Sequence, residues 1–469
     1  MNASTLDDLI TTKMRAAGVA PPTITAFLRA VRRVVDGERG LVPEADVEPI
    51  ASLPRLEDLP AVEGLDSELL RQLAVIKLNG GLGTSMGLDR AKSLIAVKPH
   101  ATFLDFIARQ VLDLRARAGG QAPRFYLMNS FSTRADTLDY LKRYPDLAAD
   151  GAIDFLQNKV PKLDAETLAP VSWPLDPSLE WCPPGHGDLY PALLGSGLLD
   201  QLLRRGVRFL FVSNSDNLGA TVDARLLAYF AASGSSFLME VAERTAGDRK
   251  GGHLARHRAT GRLLLRESAQ CPPEDEADFQ NIERHRFFNT NNLWLRLDHL
   301  RDALERHDGA LPLPLITNVK TVDPRDAQSP KVLQLESAMG AAVACFERSE
   351  AIVVPRARFA PVKTTNDLLA LRSDAYRVTD DFRLVLAPER GGRPPVVDLD
   401  PRYYRRLEDF EPLFSSGVPS LADCDVFKVR GPVTFSTSVI CHETVEFVNR
   451  RDTPRLANPG SYRNTVVEV

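Results

Sequence analysis

From Leu73 onward the apolar positions switch repeatedly between short runs and helical spacing. Runs at Leu73 to Leu78, Phe125 to Met128, Ile153 to Gln157, Val207 to Val212 and Ser236 to Ala242 have strand length. Between them, Phe103 to Arg117, Thr133 to Arg143, Ala192 to Arg205 and Asp223 to Ala232 carry the period of amphipathic helices. Such alternation predicts an α/β chain with an open, mainly parallel sheet covered by helices. Ahead of it, Leu9 to Val35 also has helical spacing, and the acidic, proline-containing stretch Glu44 to Leu65 reads as a linker. After Thr379 the texture changes to short apolar runs, including Val396 to Pro401 and Val426 to Ile440, split by Gly, Pro, Asp and Arg. The expected division is residues 1–70, a helical segment and linker; 71–378, the α/β domain; and 379–469, a strand-rich C-terminal module.

The first strand runs into Asn79-Gly-Gly-Leu-Gly-Thr-Ser-Met-Gly87, with Lys92 five residues later. Gly80, Gly81, Gly83 and Gly87 let the backbone turn with its N–H groups aimed at one point, and Lys92 would neutralise an anion held there. A P-loop needs Gly-Lys-Ser/Thr straight after its last glycine, and the dinucleotide fingerprint needs G-x-G-x-x-G opening a helix; neither is present. Ligands of open α/β sheets bind beyond the carboxyl ends of strands, where this loop and Ser213 to Asn217 would both lie. The run Val207 to Val212 ends in Ser-Asn-Ser-Asp-Asn, presenting Asp216 as a candidate oxygen ligand for Mg²⁺. Strand caps and Asx turns use the same residues, so the pattern alone leaves both readings open.

Three further segments carry candidate chemistry. In Pro183-Pro-Gly-His-Gly-Asp188 the prolines stiffen the approach and glycines leave His186 beside exposed backbone. Gln157 could offer its amide to a heterocycle, or be an ordinary strand-end residue. In Phe359-Ala-Pro-Val-Lys-Thr-Thr-Asn-Asp-Leu368, Thr364 or Thr365 can cap a helix beginning near Asp367, which puts Lys363 just before a phosphate-attracting terminus.

Charge narrows the field. Lys plus Arg at 58 against Asp plus Glu at 62 gives a net charge of -4, so a whole-chain basic field for nucleic acid is absent. An anionic substrate must be held by local charge, for which Lys92, Lys159, Lys162, Lys320, Lys331 and Lys363 are candidates. Met1 to Arg33 has no apolar core of signal-peptide length and no segment approaches a membrane span, so no membrane partner and a cytoplasmic location are expected. The five cysteines are widely separated with no C-x-x-C, which suggests neither a disulfide framework nor structural zinc.

The loop Leu78 to Gly87 with Lys92-Ser93 resembles that of the UTP-glucose-1-phosphate uridylyltransferase (UDP-glucose pyrophosphorylase) family of eukaryotic type. Trp181 to Tyr190, Phe211 to Ala220, Lys250-Gly-Gly252, Phe288 to Trp294, Gln334-Leu-Glu336 and Val354 to Leu368 agree in the family's order. The resemblance spans about Leu73 to Leu371 and implies a Rossmann-like, GT-A-like nucleotidyltransferase with a C-terminal left-handed β-helix, although the chain shows no clear hexapeptide repeat. It implies UTP contacts from Leu78, Asn79, Gly80, Gly81, Lys92, Gln157, Gly185, Asp216 and Lys363, and sugar-phosphate contacts from His186, Asn214 and Asn291. It also implies Mg²⁺ on Asp216, with Lys363 and Lys92 as the catalytic cations. Ala91 stands where eukaryotic members usually have proline, which puts the pre-ordering of Lys92 in question. Val160-Pro-Lys162 replaces their usual Tyr-Pro-Arg, and the two departures point towards a bacterial branch. A uridylyltransferase for another hexose 1-phosphate, such as galactose or N-acetylglucosamine, and a sugar-nucleotide-binding protein without turnover are the alternatives. A kinase is disfavoured, since no P-loop or H-R-D and D-F-G set occurs. Homo-oligomer formation is left open.

Overall fold

The structure is a computed structural model that describes residues 3–469 except 39, 63, 65, 121 and 150. Its centre is a ten-stranded sheet in which Phe209–Asn214, Leu73–Asn79, Arg124–Asn129 and Asp154–Leu156 lie side by side and parallel. Leu73–Asn79 is buried on both faces, which is why it reads as a continuous apolar run. Helix Phe103–Ala118 covers one face, closed at its start by a Thr102/Asp105 capping box and at its end by Gly119 at φ 71°.

Beyond Phe209–Asn214 the sheet is mixed. Phe287–Arg296 runs antiparallel to it and to Phe237–Glu243, which in turn pairs parallel with Ser349–Val353. The expectation of a mainly parallel sheet therefore holds for the half that carries the glycine loop and is corrected for the other half. Asn-rich Phe287–Arg296 showed no apolar alternation to betray it, and Asn291 at φ 57° lies opposite a register shift at Glu240/Val241.

Two further expectations change. Ala192 to Arg205 is two helices, Leu189–Gly195 and Leu198–Arg204, because Gly197 at φ 73° breaks the chain between them. The expected linker Glu44 to Leu65, of which 63 and 65 lie outside the described residues, is packed at its start, where Val47–Glu48 adds an antiparallel edge strand to His253–His257. Buried Glu44 accepts hydrogen bonds from Arg266, Arg284 and His285, fastening this stretch to the sheet.

The N-terminal helices Ala3–Ala16 and Pro21–Val35 bury Leu6, Ile10, Met14, Ile24, Phe27 and Val31 against Val160, Leu163, Leu315 and Leu335. In the C-terminal part, Val396–Leu399, Ser420–Arg430, Val439–Val448 and Gly460–Glu468 form one parallel ladder, and Val433–Thr434 with Arg455–Leu456 a second. Parallel pairing of successive strands makes stacked coils, filled by Phe414, Phe427, Phe435 and Phe447 with ring centroids 5.1 to 6.1 Å apart. One hydrophobic core runs from Leu73 and Val75 through Leu368 and Tyr404 to Phe447 and Ala457. Arg406 of the C-terminal part packs on the glycine loop, its Nε 3.0 Å from where a Cβ on Gly87 would stand.

Candidate active site

The glycine loop leaves its strand between two neighbours. Asn79 is 2% exposed and its Nδ2 donates to Asn129 Oδ1 at 2.8 Å and Thr137 Oγ1 at 2.9 Å. Its amide is thus spent inside the protein, where it fixes the end of the strand, and the loop's own backbone is what remains to face a ligand. Gly83 and Gly87, at φ 61° and 75°, take the left-handed turns that glycine alone adopts without strain. Ser130 Oγ donates to Gly80 O at 3.0 Å, holding the loop's first peptide.

Lys92 is brought back to this loop by two contacts. Its N–H donates to Gly81 O at 3.1 Å. Its Nζ donates to Asp216 Oδ2 at 2.6 Å, with side-chain exposures of 16% and 19%. The absence of proline at position 91 costs little, because Ala91 has φ -55°, close to proline's own angle. The Asp216 turn is registered by Ser215 N–H to Leu78 O at 3.0 Å, so Asp216 and the glycine loop occupy adjacent strand ends. Asn214 is half-buried, and its side-chain amide makes no hydrogen bond with the described residues, which leaves it available to a ligand.

On the other side of the loop, Gln157 Nε2 donates to Gly185 O at 3.0 Å. Its Oε1 lies 2.5 Å from where a Cβ on Gly80 would stand, so glycine is needed there for the amide to fit. Gly185 itself has φ 78° and sits against the Ser337 backbone. His186 Nδ1 accepts the Met339 N–H at 2.9 Å, which puts the ring proton on Nε2 and makes that atom a donor. Burial pulls the imidazole down to about 4 from an ordinary 6.5. His186 is therefore neutral at pH 7 and offers a hydrogen bond rather than a full charge. Because folding lowers this pKa, the residue favours the folded state above 6.5 and works against it as pH falls through about 4. Histidine NMR should show no His186 titration between about pH 5.5 and 8, where exposed rings titrate; a midpoint near 6.5 would refute the neutral assignment.

Asp188, two residues on, accepts Asn158 N–H at 2.6 Å and Asn158 Nδ2, and burial raises its carboxyl to about 7. It ties the histidine segment to the residue after Gln157. Of the other lysines singled out, Lys162 is buried and donates to Val322 O at 2.8 Å, and Lys159 lies over the Trp181 ring at 4.6 Å. Lys162 thus belongs to the framework.

Asn291 Oδ1 accepts from Asn289 Nδ2 at 2.8 Å, and Asn289 also packs against Gly340, next to the Met339 that bonds His186. His186 and Asn291 are thereby gathered around one short turn. Lys363 is exposed, at the border of a separate cleft of about 340 Å³ with Asp248, Phe359 and Tyr376. Its carbonyl accepts Ser85 Oγ at 3.2 Å, so its backbone touches the glycine loop, and its ammonium makes no ion pair among the described residues. The Thr364/Asp367 capping box starts helix Thr365–Arg372 just behind it.

Residue types alone did not reveal the buried group that joins these parts. Glu240, fully buried, accepts from Arg358 Nε and Nη2 at 2.7 and 2.8 Å, Trp294 Nε1 at 3.0 Å and Asn292 Nδ2 at 3.1 Å. Arg358 O accepts Asn217 Nδ2 at 3.0 Å, and Asn217 Oδ1 accepts Ala360 N–H at 3.0 Å. The turn bearing Asp216 is thus bolted to the segment leading to Lys363. Glu267 was also missed: burial raises its carboxyl, opposed by the charge of Lys363, and Gly252 makes room for its Oε2. A charged residue inside an apolar strand is the signal that could have flagged Glu240.

A glycine loop at a parallel strand end, with Lys92 just after it paired to Asp216 from the neighbouring strand, is in this fold the arrangement of a nucleotidyltransferase. The family model for UTP-glucose-1-phosphate uridylyltransferase matches residues 24–442, and the chain belongs to that family. It is 39% identical over 425 residues to the UTP-glucose-1-phosphate uridylyltransferase of Solanum tuberosum, covering 88% of this chain and 86% of that protein. The Saccharomyces cerevisiae protein is 40% identical over 380 residues, with 81% and 74% covered. Among solved structures, the UDP-glucose pyrophosphorylase of Leishmania major, described in open and closed forms, matches with TM-score 0.93 at 48% identity over 99% of both chains. A variant of it in complex with UDP-glucose matches with TM-score 0.92 at 47% identity over 99% of both chains.

Proposed function

We propose that this chain forms UDP-glucose and pyrophosphate from UTP and glucose 1-phosphate by in-line transfer at the glycine loop. The observation that carries the reading is the Lys92–Asp216 contact at 2.6 Å beside the loop's backbone, with Gln157 and Gly185 bonded on the opposite side. A phosphate oxygen of the sugar forms a bond to the α-phosphorus while the bond to the β-phosphate bridging oxygen breaks. No general base is needed, because a phosphate monoester with second pKa about 6 is already largely dianionic at pH 7. What the chain supplies is alignment and charge. Gly80 and Gly81 amides and Lys92 hold the triphosphate, and the Gln157 amide pairs with the uracil edge. Neutral His186, Asn214 and Asn291 donate to the sugar phosphate and hydroxyls.

Asp216 fits a Mg²⁺ role of limited kind. Among the described residues no group of three or more His, Cys, Asp and Glu could hold a metal ion. Asp216 commits Oδ2 to Lys92 while Oδ1 has no hydrogen-bond partner among the described residues, the single-carboxylate arrangement in which substrate phosphates would complete the shell. When bound, Mg²⁺ would neutralise charge on the phosphates. Lys363 would reach them by a closing movement, which the open and closed forms of the Leishmania major relative support. We also read the parallel coils as a left-handed β-helix, residues 1–70, 71–378 and 379–469 as functional units, and the location as cytoplasmic. Among the described residues no helix is long and apolar enough to cross a membrane.

The test is pyrophosphate release from UTP with glucose, galactose and N-acetylglucosamine 1-phosphates, each with a chelator control. Selective release with glucose 1-phosphate is expected; another preferred sugar would change the substrate, and silence would overturn the reading. Gly80→Ala supplies a sharper check, since its methyl must push the Gln157 amide aside. The KM for UTP should rise about tenfold with kcat little changed, as for loss of uniform binding. An unchanged KM would remove Gln157 from uracil recognition.

A further inference from the structure

Lys77 stands in the middle of Leu73–Asn79, a strand whose residues are all buried, and is itself 3% exposed. Strand alternation puts it on the face of Val75, beside Phe211, whose ring centroid is 5.9 Å from Nζ. Nζ donates to Ser213 Oγ at 2.7 Å and to Ala220 O at 2.6 Å. These two acceptors bracket Asp216 in the chain. One ammonium therefore ties together the two ends of the turn that presents Asp216.

Packing gives no reason for a lysine here. A cation moved from water into the core and hydrogen-bonded only to neutral oxygens costs stability; burial pulls Lys77 down to about 7, although the Glu240 and Asp216 carboxylates act the other way at longer range. Methionine would fill similar volume without that cost. What methionine cannot do is link Ser213 to Ala220. The Ser215 N–H bond to Leu78 O sets the register of this turn on the central strand. Asn217 and Arg358 fasten its far side to the Lys363 segment. Lys77 adds a direct link between the turn's two ends, from the strand that delivers the glycine loop.

We propose that Lys77 is a positioning residue for nucleotidyl transfer, holding the Asp216 turn closed over the strand that ends in the phosphate cradle. This rests on the reading of Asp216 as the residue that manages phosphate and metal charge. Lys77→Met and Ser213→Ala would be compared with the unaltered chain by melting temperature, by kcat and KM for UTP, and by crystal structures. Lys77→Met should melt at or above the unaltered chain's temperature, yet lose about ten- to a hundredfold in kcat, the scale of a misplaced reacting group. Its KM should hold within about threefold, and Asp216 should be displaced in its crystal structure. Ser213→Ala, which keeps the charge and removes one anchor, should lose about threefold or more in kcat. If kcat per folded molecule of Lys77→Met stays within about threefold, whatever its melting temperature, the proposal is overturned. Should that variant fail to fold, an unchanged kcat in Ser213→Ala overturns it equally. Silence of the unaltered chain would instead sink the functional reading itself.

Discussion

Asp216→Ala should lower turnover by about a thousandfold while leaving the melting temperature within a few degrees. The size follows from what the carboxylate does: it is the anionic partner of Lys92 at the phosphate end and the group proposed to hold Mg²⁺. Preorganised charge of this kind is worth about two to three orders of magnitude in kcat when one member is removed. The small effect on folding follows from exposure. The pair is 16% and 19% exposed at its side chains, and a partly solvated ion pair contributes about 1 kcal/mol or less. The turn meanwhile keeps Ser215 on Leu78, Asn217 on Arg358 and Lys77 on Ser213. Lys92, freed of its partner, can still bind the triphosphate, so KM for UTP should change less than kcat. Asp216→Asn separates shape from charge and should be nearly as slow. A variant that retains more than about a tenth of normal kcat under saturating Mg²⁺ would take Asp216 out of the reaction.

Lys363→Ala should lose about a hundred- to ten-thousandfold in kcat, for a different reason. The side chain is exposed and makes no ion pair among the described residues, so its removal should cost less than about 0.5 kcal/mol of stability. Beyond the field it exerts on Glu267, the ammonium makes no ion pair among the described residues, so a large effect on turnover would point to action after a closing movement. Its backbone already touches Ser85 of the glycine loop, which gives that movement a short path. If Lys363 engages phosphate charge only in the transition state, kcat and kcat/KM should fall together. If it also binds ground-state UTP, KM should rise as well. Lys363→Arg keeps the charge with a different geometry and should recover part of the rate. Near-normal turnover in Lys363→Ala would take Lys363 out of the mechanism.

Much of the fold can be read from periodicity because the half of the sheet around Leu73–Asn79 is made of local signals. Buried parallel strands need apolar runs, helices need a 3.6-residue stripe, and Gly83 and Gly87 announce left-handed backbone. The elements that resisted were those whose residues are polar for tertiary reasons. Phe287–Arg296 is a strand full of asparagines because Asn292 serves buried Glu240 and Asn289 serves the turn around Gly340. Val47–Glu48 is held less by propensity than by Glu44 meeting Arg266, Arg284 and His285 from more than two hundred residues away. No local window contains both partners of such a contact.

The candidate site divides along the same line. Gly80, Gly81, Gln157, Gly185, His186 and Asp216 stand out in sequence because ligand-facing loops use residue types that a core would not, and ordered motifs bring them forward. Sequence by itself thus determined the family, the glycine loop and the residue types around it. Only the tertiary structure decided which groups are available. It spent the amide of Asn79 and the ammonium of Lys162 inside the protein, left Asn214 without a side-chain hydrogen bond among the described residues, paired Lys92 with Asp216, and made His186 neutral by burial with its Nδ1 accepting a backbone N–H. Availability, charge state and distance are properties of surroundings assembled from remote segments, and those surroundings exist only once the chain has folded.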